Sequence, residues 1–208
     1  MIRKHYCNSD EIGDLLETVH FGEHTLMLYS DVSVFTKIYS SYCQNHLLHD
    51  DDETIIILTY YETPDKVRIN LGKAGIDARK YERDSQLTIM DGLKVYNNAN
   101  KTAFPLFNRA MNFANMKNKN GLTGFGDLSA FFHYENPDAV LAYEKLNPPI
   151  FEETVAGFKP FCALHVGNFA RLGVSQQDAL ANQHSHLFWV SSGSDLAGFR
   201  KPFSDTVA

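Results

Sequence analysis

The residues able to do chemistry are few, and they fall late in the chain. His184-Ser-His186 is one such stretch. On a strand, alternate residues face the same side, so both imidazoles would share a face there. Cys162 and His165 lie on a neighbouring predicted strand, and the four together would make a His/Cys set of the kind that binds zinc. No spacing among them is specific for a metal, and the competing reading is a group of buried, hydrogen-bonded histidines beside a core cysteine. His46-Leu-Leu-His49 next to Asp50-Asp51-Asp52 is a second, weaker grouping. Cys162 and His165 are three residues apart on one strand, so they would point to opposite faces and are disfavoured as a nucleophile–base dyad. Neither Gly-x-Ser-x-Gly nor His-Glu-x-x-His occurs. No catalytic residue, metal or cofactor is assigned on this basis.

Phosphate chemistry is tested at the first buried strand, His24-Thr-Leu-Met-Leu-Tyr-Ser-Asp31. A nucleotide-binding α/β domain passes from its first strand into a glycine-rich loop with a lysine, whose open backbone amides cradle phosphate. Here the handover is Tyr29-Ser30-Asp31, with neither glycine nor lysine. Gly121-Leu-Thr-Gly-Phe-Gly-Asp-Leu has part of the glycine spacing, but Asp127 and Leu128 stand in place of Lys and Ser/Thr, and a carboxylate there would repel a triphosphate. Asp91 closes a predicted strand and resembles an acid that holds Mg²⁺ through water. Without a phosphate loop, a turn or helix-cap role is the simpler reading.

These residues need elements to hold them, and the chain has enough length for one sizeable core. It has 208 residues, 44% of them hydrophobic, which suits one domain or one domain with a small appendage. The formal charge of −6 argues against a general nucleic-acid surface. No apolar run is long enough to cross a bilayer, and Met1-Ile-Arg-Lys-His lacks the apolar centre of a signal peptide. Three cysteines at long spacings fit a reducing, cytoplasmic setting better than a disulfide framework.

Along the chain, residues 1–9 show no periodicity. Asp10–Val19 reads as a short amphipathic helix, Thr25–Tyr29 as a strand and the stretch after Asp31 as a helix running to about His49. Asp50–Glu53 reads as a solvated turn. Thr54–Thr59 is the clearest strand, apolar on both faces and β-branched. A helix from Thr63-Pro64 is predicted to close at Gly72 and Gly75. Further strands are predicted at Leu87–Asp91, Leu122–Phe125, Phe161–Val166 and His184–Val190. Helices are predicted at Phe104–Met116, stopped by Gly121, at Asp138–Leu146, interrupted by Pro148-Pro149 with a second piece over Phe151–Val155, and at Ser175–Asn182. This alternation predicts a three-layer α/β domain with a mostly parallel sheet. The division expected is an N-terminal helix in 1–20, the α/β domain in 21–190 and a loose tail in 191–208. Ligands of such sheets sit beyond the carboxyl ends of the strands, which directs attention to Tyr29, Glu62, Asp91, Asp127 and His165. Aromatic residues near those exits would line an apolar pocket.

Several of these stretches, taken in order, resemble the MEDS family, the methanogen/methylotroph DcmR sensory domain. They are Gly22-Glu-His-Thr-Leu-Met-Leu-Tyr29, Leu87-Thr-Ile-Met-Asp91 with Tyr96, Gly121–Ser129, Tyr143-Glu144, Phe161-Cys-Ala-Leu164 and the late His184. The resemblance spans about residues 20 to 190. It implies a RecA/KaiC-like core without a functional phosphate loop. It also implies a non-catalytic sensory role in signal transduction, through a small-molecule ligand or a separate signalling protein. Assembly into a homo-oligomer through domain edges follows by the same analogy. His24, Glu144 and His184 match positions characteristic of the family, either as ligand contacts or as a buried Glu–His lock. Asp127 departs from the glutamate expected there. Three other readings stay open: an ATPase relative with an atypical phosphate contact, a metal-dependent enzyme built on Cys162, His165, His184 and His186, and a protein-interaction module.

Overall fold

The computed structural model describes residues 2–9, 11–49, 52–97, 103–133, 135, 137–152 and 157–192, with the side chains of 146–152 excepted. In chain order the elements are β1 (Arg3–Asn8), α1 (Ile12–Glu17), β2 (Thr25–Tyr29), α2 (Val32–Cys43), β3 (Glu53–Thr59), α3 (Pro64–Lys73), α4 (Ala78–Arg83), β4 (Leu87–Asp91), α5 (Gly92–Tyr96), α6 (Ala103–Met116), β5 (Gly121–Asp127), α7 (Asp138–Glu152), β6 (Gly157–His165), α8 (Val166–Phe169), α9 (Val174–Ala181) and β7 (His186–Ser191). A π-helical turn (Gln44–His49) extends α2, and a 3₁₀ turn (Leu128–Phe132) follows β5.

Seven parallel strands form one sheet in the order β1-β7-β2-β6-β5-β3-β4. Helices cover both faces, so the sheet is the middle of three layers. The central strands are buried along their whole length, which is why they read as continuous apolar runs instead of alternating ones. Side-chain alternation then sorts the core into two halves. Met27, Tyr29, Ile55, Ile57, Phe125 and Phe161 pack on one side with α1 to α4. Leu26, Leu28, Ile56, Leu58, Leu122 and Cys162 pack on the other, with α5, α6, α7 and α9.

Several sequence expectations are corrected. Residues 3–8, where no periodicity was found, form edge strand β1, paired along its length with β7. The pattern fails there because an edge strand carries only Cys7 fully inward while its other side chains are solvated or half-buried. Residues 1–20 thus hold a strand as well as a helix, and Ile12, Leu16 and Cys7 belong to the main core. Helix α7 runs through Pro148-Pro149 to Glu152, although proline inside a helix removes a donor and crowds the preceding turn. The second helical piece expected through Val155 lies, past Glu152, outside the described residues, as does the tail beyond Ser192. In the expected turn Asp50–Glu53, Asp50 and Asp51 lie outside the described residues, and Glu53 opens β3 as a buried residue. Gly121 does not stop α6. It opens β5, where a Cβ would lie 2.2 Å from the Gly157 carbonyl oxygen and 2.6 Å from the Phe21 ring.

Candidate functional site

Three places gather polar side chains: the exit end of the sheet, and its entry end on each face. At the exits, each residue singled out from the sequence is engaged within the chain. Asp31 caps α2, accepting from the backbone N–H of Ser33 at 2.9 Å and of Val34 at 3.3 Å. A helix N-terminus is where phosphate would bind, and here a carboxylate of the chain itself already takes those amides. Tyr29 donates to Asp127 Oδ2 at 3.0 Å. Asp127 also accepts from Ser129 N at 3.0 Å, and complete burial raises its carboxyl to about 6. Glu62 accepts from Thr36 and Tyr39, both at 2.9 Å, and from Asn70 at 2.6 Å. Asp91 caps α5 through Leu93 N, and His165 caps α8 through Gly167 N. Asp31, Asp91 and His165 are therefore helix caps, and Tyr29, Asp127 and Glu62 are members of buried hydrogen-bond networks.

The second gathering lies at the entry end on the α1–α4 face. Glu53, at the start of β3, receives Lys159 Nζ at 3.1 Å and the Tyr42 hydroxyl at 2.7 Å. Lys159 Nζ also donates to Tyr42 Oη at 2.8 Å, and Thr123 reaches both Glu53 and Tyr42. His46 adjoins it, 2.9 Å from Asp52 and 3.0 Å from Glu17. This network carries its own ammonium group and is internally satisfied.

The third gathering faces α7 and α9. His24 precedes β2. Cys162 sits mid-β6, in register with Leu26 and on the same side. Helix α7 buries Val140, Tyr143 and Glu144 at the i, i+3, i+4 spacing of one helical face. His184 lies in the turn between α9 and β7, whose Ser185 N–H donates to the His24 carbonyl at 2.7 Å. Four side chains from four separate segments thus converge. His24 Nε2 is 3.0 Å from Cys162 Sγ and 3.3 Å from Glu144 Oε2. His184 Nε2 is 3.5 Å from Glu144 Oε2, and Cys162 Sγ is 3.6 Å from Glu144 Oε1. All four are buried, Glu144 completely. Burial, aided by His184, pushes the His24 pKa well down, and burial lowers that of His184 to about 4. Burial and then the Glu144 charge push the Cys162 thiol well up. These shifts favour neutral imidazoles and a protonated thiol.

Beside this cluster is a small, partly open apolar cavity of about 20 Å³. Its floor is the same face of three adjacent strands: Ile56 and Leu58, Gly124 and Gly126, and Cys162. Tyr96, Phe107, Tyr143 and Phe158 are among the residues of its wall. The two glycines make the room. A Cβ at Gly126 would lie 2.2 Å from the Tyr96 hydroxyl, and one at Gly124 would lie 3.0 Å from the Phe158 ring. Cys162 belongs to both the cluster and the cavity wall.

Of the sequence candidates, His24, Glu144, Cys162 and His184 are brought together, while His165 and His186 are not. The strand begins at His186, not at His184. His186 consequently falls on the opposite face, stacked with Phe188 and His5 and 3.2 Å from Glu23. Tyr143 and Phe107 also line the cavity, and nothing local in the sequence marks them as pocket residues. The available signal was Gly124-x-Gly126, which strips one strand face of side chains.

The family model described as MEDS, the methanogen/methylotroph DcmR sensory domain, matches residues 23–158. The chain belongs to the MEDS family. The matched span takes in His24, Tyr29, Asp127 and Glu144 and ends before Cys162 and His184. Among solved structures, this MEDS chain is similar to a KaiC-like protein from the hyperthermophilic archaeon Pyrococcus horikoshii OT3. The TM-score is 0.61 at 14% identity, over 82% of this chain and 72% of that one. At that identity the likeness speaks for a shared RecA/KaiC-like fold. A comparison with curated proteins found no match. Among the described residues, no helix is long and apolar enough to cross a membrane.

Proposed function

We propose that this MEDS chain is a non-catalytic sensory domain whose ligand is a small, mainly apolar molecule held in the cavity between the sheet and α5, α6 and α7. One observation carries the reading: the cavity is apolar, aromatic-walled and cleared by Gly124 and Gly126. A volume of about 20 Å³ suits a molecule of about one to three heavy atoms, since a single water needs roughly 10–15 Å³. Such a ligand would touch α5 through Tyr96 and α7 through Tyr143. Those helices also touch the exit-end turn, since the Phe131 ring lies 4.9 Å from Tyr96 and 5.2 Å from Tyr143. Occupancy would thus be communicated to the surface where a separate signalling protein can dock.

Family membership supports the sensory role, and the Asp31 carboxylate on the α2 amides weighs against the nucleotide-binding alternative. The test is a thermal-shift and calorimetric series with xenon, methanol and ethanol, run beside ATP with Mg²⁺. A ligand that binds only the folded state must raise the melting temperature. Saturable stabilisation by at least one small probe, lost in Gly124→Ala, is the expected result. Stabilisation by ATP with Mg²⁺ and by none of the small probes would reverse the assignment.

A further inference from the structure

We infer that His24, Glu144, Cys162 and His184 form a binding site for one zinc-class divalent cation. The inference stands on the cluster alone and does not depend on the cavity's ligand. One candidate ligand atom from each residue, two ring nitrogens, a thiol sulfur and a carboxylate oxygen, all lie within 4.8 Å of one another. Zinc takes four N, S or O ligands in a tetrahedron with bonds of about 2.0–2.3 Å. That geometry places neighbouring ligand atoms roughly 3.3–3.7 Å apart. The observed separations of 3.3, 3.5 and 3.6 Å fall in that range. The 3.0 Å contact between His24 and Cys162 would open slightly around a cation.

The histidines are set as metal ligands usually are. His184 Nδ1 is 2.8 Å from the Leu180 carbonyl, which fixes the tautomer and turns Nε2 into the cluster. That Nε2, on a side chain with no exposed surface, has no hydrogen-bond partner. The His24 ring is likewise hydrogen-bonded to the Gln183 main chain. The charges balance as well. A divalent cation with one thiolate, one carboxylate and two neutral imidazoles is neutral overall, which a buried site requires. Binding releases the Cys162 proton to water and changes no oxidation state. The mixed N, S and O set suits a borderline cation and disfavours Mg²⁺ or Ca²⁺, which take oxygen. A surface crevice of about 450 Å³, lined by Ile2, Arg3, Glu23 and the Asn182–Ser185 turn, borders the cluster at His184.

Cobalt(II) is the probe, because a tetrahedral Co²⁺–thiolate site shows intense visible bands and a near-ultraviolet sulfur-to-metal band. Chelator-treated full-length protein should bind one Co²⁺ per chain, show both features and lose them to added Zn²⁺. The sulfur band in the unaltered protein already points to Cys162, since Cys7 and Cys43 are buried on the opposite face. Cys162→Ser should lose that band, and His184→Gln should weaken binding at least about tenfold. Cys43→Ser, checked for native near-ultraviolet circular dichroism, should leave both unchanged. Either of two results overturns the site: no saturable Co²⁺ or Zn²⁺ binding by the folded, unaltered protein, or binding without a sulfur band.

Discussion

The sheet carries two buried polar clusters at its entry end, one on each face, and they are built on opposite plans. Glu53, Lys159, Tyr42 and Thr123 form a closed set in which the carboxylate meets a resident ammonium group. His24, Glu144, Cys162 and His184 surround a carboxylate with two neutral imidazoles and a protonated thiol. The first stabilises by being complete, because every member is paired where water cannot reach. The second presents convergent lone pairs, which is the arrangement that recruits a cation from outside. Burial alone does not separate a structural network from a binding site. The feature that separates the two is the kind of group gathered round the carboxylate: an ammonium group in the first, imidazoles and a thiol in the second.

Substitutions can sharpen or break that contrast. The largest effect is expected from Lys159→Met, which leaves Glu53 buried without its ammonium partner. A loss of about 3–5 kcal/mol in urea unfolding is expected, with most of it recovered when Glu53→Gln is added. A small single effect would mean that the first cluster is not held by its ion pair. Tyr42→Phe removes the hydroxyl shared by Glu53, Lys159 and Thr123, and should cost about 1–3 kcal/mol in the same measurement. Glu144→Gln, in metal-free protein, should stay within about 1 kcal/mol of the unaltered chain, because no ion pair to either neutral imidazole is lost. A cost matching that of Lys159→Met would make both clusters structural.

The smallest effect is the pH dependence of His46. Burial opposes its protonation, yet Glu53, Asp52 and Glu17 together raise its pKa above 6.5. Its folded pKa therefore exceeds the unfolded value. The contribution is fully present below about pH 6.5 and fades as pH rises through the folded pKa. The difference in melting temperature between the unaltered chain and His46→Gln should be larger at about pH 6 than at about pH 9. Because Glu17 is partly solvated, salt should shrink that difference. An opposite pH trend would show that His46 is neutral in the folded protein.

How far the sequence reached varies by element. Thr54–Thr59 and Leu87–Asp91 were legible because each combines β-branched apolar residues with a turn on either side. Thr63-Pro64 marked α3 because its cap and first turn have local chemistry. β1 was not legible, because an edge strand that is mostly solvated carries no apolar repeat. The short helices α4, α5 and α8 are not legible, since four to six residues hold too little periodicity and their caps, Asp77, Asp91 and His165, also suit turns. For the candidate site, Cys162 and His184 were visible as ligand types and His24 and Glu144 through the family resemblance. Their meeting was not visible. Strand parity would group His186 with His184, but β7 starts at His186 and the two fall on opposite faces.

The sequence by itself settled the layered α/β architecture, because hydrophobic periodicity and capping are local properties written over a few consecutive residues. It also showed that the first strand leads into Tyr29-Ser30-Asp31 and not into a glycine-rich loop, since that too is local. Only the tertiary structure decided which polar residues share a space. His24 and His184 are far apart in the chain, yet their rings lie 4.0 Å apart. That proximity depends on β2 pairing with both β6 and β7 and on α7 packing across them, which no short window of residues encodes.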